Sequence, residues 1–225
     1  MSTQAAVEQH SGFGDFFDDD LFGRIAADIR RRGFSIQPGA LPPALAQQLF
    51  DHVQQMSPQQ FVRAGIGRQQ DYMCNAFVRT DEICWINGES EAGASWLAWA
   101  AGLQQYINRR LFLGLFSFES HFAHYASGDY YKRHTDAFRG EANRILSLVV
   151  YLNPGWSGDS GGELVLYRDE CDREGIRVQP AMATVVVFLS EEFPHEVLAA
   201  TRDRYSIAGW FRLNTSQAHR VDPPR

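Results

Sequence analysis

Cysteine is scarce in this chain. There are three in 225 residues, Cys74, Cys84 and Cys171, widely spaced and with no Cys-x-x-Cys. An odd count at that spacing excludes a disulfide framework and a zinc–thiolate cluster as organising devices. Positive charge is not in excess either: 21 Lys and Arg against 27 Asp and Glu give a formal charge of −6. A general nucleic-acid-binding surface needs a basic face, so no nucleic-acid partner is expected. No apolar run reaches the length that crosses a bilayer, so no membrane partner is expected. The opening residues have neither a basic start nor an apolar stretch, and a signal peptide is not expected. Together these absences predict a cytoplasmic protein in a reducing compartment.

What is present is a globular composition, 44% hydrophobic and 13% aromatic, at a length that suits one sizeable core. Residues 1–18 read as a flexible N-terminal tail and 214–225 as a C-terminal tail, with a single domain over 19–213. Three helices are predicted in its first part. Asp18 to Asp20 precede Leu21, Ile25 and Ile29, and Arg30 to Arg32 precede Gly33, which suits a helix and its stop. A short strand follows at 34–36. Pro42 and Pro43 open a second helix with Leu45, Leu49, Val53 and Met56 at helical spacing. A third covers 95–110, with Leu97, Ala100, Leu103 and Ile107 on one stripe and Trp96 and Trp99 as core. Between the second and third helices, 63–71 reads as a glycine-bearing loop and 77–85 as a strand.

From residue 116 the pattern changes to short β-rich runs broken by Gly, Pro and Asp: 116–126, 144–152, 163–167, 176–178, 184–189, 196–198 and 205–213. Such a series predicts a closed or double-sheet β structure, of which the jelly roll is the commonest metal-bearing kind. The fold class expected is α+β: helical support over 19–113 and a jelly-roll (double-stranded β-helix) core over 114–213.

Four dispersed residues carry chemistry: His134, Asp136, His195 and Arg204. His-x-Asp alone is weak. With 7 His and 15 Asp in 225 residues, about one half of such a pair arises by chance. Context adds weight. If His134 and Asp136 share a strand, they point to one side and can grip one ion. His195 lies 59 residues further on, as if the chain returned across the opposite sheet. Two His and one carboxylate with an open face serve non-haem iron or zinc. Arg204 begins an apolar strand, where an inward guanidinium is costly unless an anionic ligand meets it. Of the other histidines, His10 and His219 fall in the tails and His52 on the second helix. His121 and His124 read as hydrogen-bonded strand residues.

The ordered series Tyr125-Ala-Ser-Gly-Asp-Tyr-Tyr-Lys-Arg-His-Thr-Asp136, Arg144, Val150-Tyr-Leu-Asn-Pro-Gly-Trp156, Ser160-Gly-Gly-Glu-Leu164, Pro194-His-Glu-Val197 and Arg204-Tyr-Ser-Ile-Ala-Gly-Trp210 resembles the prolyl 4-hydroxylases. These are Fe(II)- and 2-oxoglutarate-dependent dioxygenases. The nearest type is the oxygen-sensing one that modifies hypoxia-inducible factor, with its bacterial relatives, and the likeness covers about residues 20 to 213. It implies Fe(II) held by His134, Asp136 and His195. It implies 2-oxoglutarate held at its distal carboxylate by Arg204 and Tyr151, with Tyr125 lining the pocket. Arg144 and Trp210 match positions at the mouth, where a peptide would lie; their alternatives are a surface salt-bridge arginine and a core tryptophan. The 63–71 loop matches a mobile segment that closes over substrate. The implied reaction consumes O2 and 2-oxoglutarate, releases succinate and CO2, and yields trans-4-hydroxyproline, with ascorbate as a reductant.

The segment between Tyr125 and His134 is one residue shorter than in the animal oxygen sensors, and the animal regulatory extensions have no counterpart. Both features favour the bacterial relatives, for which the pseudomonad enzyme implies elongation factor Tu as protein partner. A monomer is expected. Three other readings stay open: a hydroxylase of a free amino acid or other small molecule, a cupin-like metal-binding module, and a 2-oxoglutarate sensor without turnover.

Overall fold

Glycine at position 33, with φ +77°, ends the first helix. A side chain there would lie 2.8 Å from the Phe193 ring. The computed structural model describes residues 19–64, 78–137 and 143–214. The expected tails (Asn214 aside) and the 63–71 loop beyond Ala64 lie outside them, as does Phe77. Helix α1 (Asp19–Arg32) buries Leu21, Phe22, Ile25, Ala26 and Ile29. Helix α2 (Pro43–Gln55) buries Leu45, Ala46, Leu49 and Val53. Helix α3 (Glu91–Leu111) starts where the Ser90 hydroxyl accepts from the Gly93 amide at 3.0 Å, an N-cap that satisfies an otherwise orphaned donor. Its buried stripe runs through Trp96, Trp99, Ala100, Leu103 and Ile107, with Leu97 at its margin.

Eleven strands are described: β1 (Phe34–Gln37), β2 (Val62–Arg63), β3 (Glu82–Trp85), β4 (Ser117–Tyr125), β5 (Tyr131–His134), β6 (Arg144–Tyr151), β7 (Leu164–Leu166), β8 (Ile176–Val178), β9 (Val185–Leu189), β10 (His195–Val197) and β11 (Arg204–Arg212). They form a seven-stranded sheet in the order β1-β9-β6-β11-β4-β3-β2 and a four-stranded sheet in the order β5-β10-β7-β8. The arrangement is the jelly roll expected, with the helices covering one sheet.

The period-2 alternation of the central strands divides the core in two. Phe122, Leu146, Leu148, Val150, Val185, Val187, Ile207 and Phe211 pack with the three helices. Ala123, Tyr125, Tyr151, Val186 and Phe188 pack with Leu164, Leu166, Val178 and Val197 of the smaller sheet. The side chains relevant to chemistry stand in this second, inter-sheet layer.

β2 was not anticipated, nor was the extent of β5: the strand expected to carry both His134 and Asp136 ends at His134. β2 is two residues long, and β5, Tyr-Lys-Arg-His, has no apolar alternation. Its strand form comes from pairing with β10. Within 77–85, regular pairing is confined to Glu82–Trp85, with an isolated bridge from Arg79 to Tyr131.

Candidate metal centre and co-substrate pocket

β5 ends at His134, and its pairing with β10 ends at the direct partners His134 and His195. Two expectations are corrected by this geometry. Asp136 does not share a strand with His134: it lies in the bend after β5, where no partner strand continues the ladder. His195 does not come from the opposite sheet: it is the cross-strand neighbour of His134 in the same sheet. The three residues still converge. His134 Nε2 is 3.6 Å from Asp136 Oδ1 and His195 Nε2 is 3.7 Å from Asp136 Oδ2. One ligand atom from each can be chosen so that all lie within 4.8 Å of one another.

Both imidazoles are oriented by the backbone. His134 Nδ1 donates to the Lys132 carbonyl at 2.8 Å, and His195 Nδ1 to the Phe193 carbonyl at 3.1 Å. With Nδ1 protonated, each Nε2 keeps its lone pair for an ion. The His134 ring stacks on Tyr131 at 3.6 Å. The Arg79 guanidinium covers Tyr131 at 4.3 Å and is held by buried Asp81 through bonds of 2.8 and 2.6 Å. The His195 ring meets Phe188 edge-on at 4.8 Å.

Burial works against the charged form of Asp136, but His195, His134 and the Ser147 hydroxyl outweigh it and hold the carboxyl well below its ordinary range. Burial, then the neighbouring His134, lower His195 from 6.5 to about 4. Two imidazoles able to present Nε2 and one ionised carboxylate are the donor set that a divalent cation requires. The residues present therefore fit Fe(II).

Arg204 is 1% exposed and sits on the inter-sheet face of β11. Its guanidinium lies 4.8 Å from the Tyr125 ring and 5.0 Å from the Tyr151 ring. Nε donates to the Gly162 carbonyl at 2.9 Å and one terminal nitrogen to Ser206 Oγ at 3.2 Å. Among the described residues no carboxylate lies within ion-pair distance. The Tyr151 hydroxyl is buried beside Arg204 without a well-formed hydrogen bond. Burial pushes its pKa up to about 12 although Arg204 pulls the other way, and burial raises Tyr125 as well. Both are therefore neutral phenols near a cation that no described carboxylate compensates, an arrangement suited to a small carboxylate. Gly162 makes it possible: with φ +73°, a side chain there would press on Ala200 at 2.9 Å and crowd Arg204 at 3.3 Å.

Arg144 and Trp210 come together, the guanidinium 3.8 Å above the indole. Arg144 also pairs with Glu119 at 2.9 Å, and Arg212 reaches the same carboxylate at 3.4 Å. Trp210 is the cross-strand partner of Ser147, whose hydroxyl donates to Asp136 at 2.6 Å. Half-exposed Trp85 meets the buried His121 ring at 5.2 Å, and His121 meets Trp210 at 5.5 Å.

Sequence reasoning did not single out Arg79, Asp81, Trp85, Ser147, Ser190 or Gly162. Gly162 entered only within the Ser160–Leu164 motif, with no role given to it. The serines carried no signal.

Residues 120–212 match the model of the 2OG-Fe(II) oxygenase superfamily. Among solved structures the chain is similar to a Pseudomonas putida prolyl-4-hydroxylase, with 37% identity and a TM-score of 0.75 over 85% of this chain and 98% of that one. It is also similar to a Trichoplax adhaerens prolyl hydroxylase in complex with a hypoxia inducible factor peptide, with 25% identity and a TM-score of 0.70 over 86% and 90% of the two chains. Among curated proteins, human Egl nine homolog 1 is 23% identical over 195 residues, 83% of this chain, which spans 45% of that protein's length.

Proposed function

Because the chain belongs to the 2OG-Fe(II) oxygenase superfamily, among its prolyl hydroxylases, we propose that it hydroxylates a prolyl residue of a protein, using Fe(II), 2-oxoglutarate and O2. In this reading His134, Asp136 and His195 hold the iron. Bound Fe(II) would supply the oxidative chemistry that converts 2-oxoglutarate to succinate and CO2, one atom of O2 ending in succinate and the other in a C–H bond of the prolyl ring. The chain's own residues bind, orient and exclude water. The observation that carries the reading is Arg204, a buried guanidinium with no carboxylate partner among the described residues. It would take the distal carboxylate of 2-oxoglutarate as a charge-assisted pair. Tyr151 would add a hydrogen bond to the same carboxylate, and Tyr125 would close the pocket wall.

Arg144 and Trp210 would meet the peptide. The product would be trans-4-hydroxyproline, and the leading substrate is elongation factor Tu, which places the reaction in the cytoplasm. Similarity over nearly the full length of a Pseudomonas putida prolyl-4-hydroxylase supports a bacterial-type protein substrate. A cupin-like module has no use for a buried arginine that meets no carboxylate among the described residues.

The test is direct. The protein is incubated with Fe(II), 2-oxoglutarate, O2 and elongation factor Tu, with and without ascorbate. Succinate is measured, and the substrate is examined by mass spectrometry. One added oxygen atom on a single proline, lost in His134→Ala, is the expected result. Succinate release stimulated by free proline but not by any protein would sink the protein-substrate reading in favour of a small molecule. No 2-oxoglutarate consumption under any condition would leave a binding protein without turnover.

A further inference from the structure

One oxygen of the Asp136 carboxylate is already engaged by the facing sheet. Ser147 Oγ lies 2.6 Å from Asp136 Oδ2, and Ser190 Oγ lies 2.9 Å from Ser147 Oγ. The serines are 1% and 0% exposed, so bulk solvent does not reach them. They come from separate segments. Ser147 is in the middle of β6, and Ser190 follows β9, where its amide donates to the Ile145 carbonyl at 3.0 Å. The order of protons follows from the donor inventory. An ionised carboxylate only accepts, so Ser147 gives its single proton to Asp136 and accepts from Ser190. The result is a one-way chain, Ser190 to Ser147 to Asp136.

This chain acts on one side of the carboxylate. Oδ2 receives the serine hydroxyl and lies 3.7 Å from His195 Nε2, while Oδ1 lies 3.6 Å from His134 Nε2; what distinguishes the two oxygens is the hydroxyl, which engages a lone pair of Oδ2. We propose that Ser147, backed by Ser190, is a positioning residue that holds Asp136 as a one-oxygen metal ligand, turning Oδ1 to the ion and keeping Oδ2 out of its coordination sphere. The inference rests on the Fe(II) site proposed above. A carboxylate free to swing can offer both oxygens to a cation. On iron that would occupy a position needed by a co-substrate that binds through two atoms. The short O–H···O contact to an ionised group is of the stronger, charge-assisted kind and suits this task.

Co(II) is a suitable air-stable probe, titrated calorimetrically into metal-free wild type, Ser147→Ala, Ser147→Thr and Ser190→Ala, followed by 2-oxoglutarate into each Co(II)-loaded protein. Loss of the hydroxyl in Ser147→Ala is expected to weaken Co(II) binding about 10- to 100-fold, the usual effect of removing an outer-shell partner. 2-Oxoglutarate binding should weaken with it. Ser147→Thr keeps the hydroxyl and is expected to restore both. Ser190→Ala leaves Ser147 in place and is expected to weaken both by less than Ser147→Ala does.

Co(II) affinity within twofold of wild type in Ser147→Ala, whatever its melting temperature, overturns the proposal, as does a threonine variant as weak as the alanine one. If Ser147→Ala does not fold, unchanged Co(II) and 2-oxoglutarate affinities in Ser190→Ala overturn it. Failure of the iron site itself reads differently: wild type would then bind no Co(II), or His134→Ala would bind it as well as wild type.

Discussion

Arg204 combines a charge with burial to 1% exposure, and among the described residues it has only the Gly162 carbonyl and the Ser206 hydroxyl as well-formed acceptors. A carboxylate bound there gains a charge-assisted pair whose loss costs roughly 2 kcal/mol or more. Arg204→Ala should therefore raise the KM for 2-oxoglutarate at least about 30-fold, with Tyr151→Phe costing about 1 kcal/mol, or roughly fivefold. Steady-state kinetics at varied 2-oxoglutarate decides, and an alanine variant within twofold of wild type rules out the anchor role. His121 offers a pH test. Burial, then the nearby Arg79 charge, lower its pKa from 6.5 to about 4. The unfolded imidazole thus takes its proton near pH 6.5 while the folded one resists until about pH 4. The unfolded state binds more protons in that window, so stability falls as pH falls through it, by up to about 3 kcal/mol. Urea midpoints at pH 7.5 and 4.5 should lie closer together in His121→Met than in wild type; an equal gap would show that His121 does not carry the effect.

The strand that matters most is β11. It pairs with β4 along one edge and β6 along the other, and it carries Arg204, Ser206, Ala208 and Trp210 on its inter-sheet face. Its opposite face rests on the helices. Trp96 of α3 is fully buried, stacks on Trp99 at 5.4 Å and donates through Nε1 to Ser120 Oγ of β4 at 3.0 Å. Trp96→Ala removes that packing and the bond together and should cost about 3–5 kcal/mol. Calorimetry measures it. Below the lowered melting temperature the metal affinity should stay near wild type, because Trp96 lies in the helix-side core rather than the inter-sheet layer. A large loss of metal affinity with little loss of stability would contradict that division. At this scale the sequence was legible where periodicity was strong. Helices α1 to α3 and strands β4, β6, β8, β9 and β11 lie within a few residues of expectation. The extent of β5 was not legible, because Tyr-Lys-Arg-His becomes a strand only through β10.

For the whole molecule, an ion that binds the folded chain and not the unfolded one adds stability by mass action. At a free concentration a hundredfold above Kd the gain is about 2.7 kcal/mol. Adding Fe(II) anaerobically should raise the melting temperature by roughly 5–10 °C, and a chelator should reverse it. His195→Ala should show no such rise; an equal rise there would place the ion elsewhere. The sequence by itself determined the residue types at His134, Asp136, His195 and Arg204, their order, and the helices-then-strands architecture, because helical spacing, turn residues and motif order are local properties of the chain. Tertiary structure alone decided how those residues meet. It made His134 and His195 cross-strand partners, set Asp136 beyond the strand end, buried Arg204 with no described carboxylate in reach, and aligned Ser190 and Ser147 behind Asp136. These relations join segments far apart in the chain, and a hydrogen bond across such a separation leaves no periodic trace in either segment.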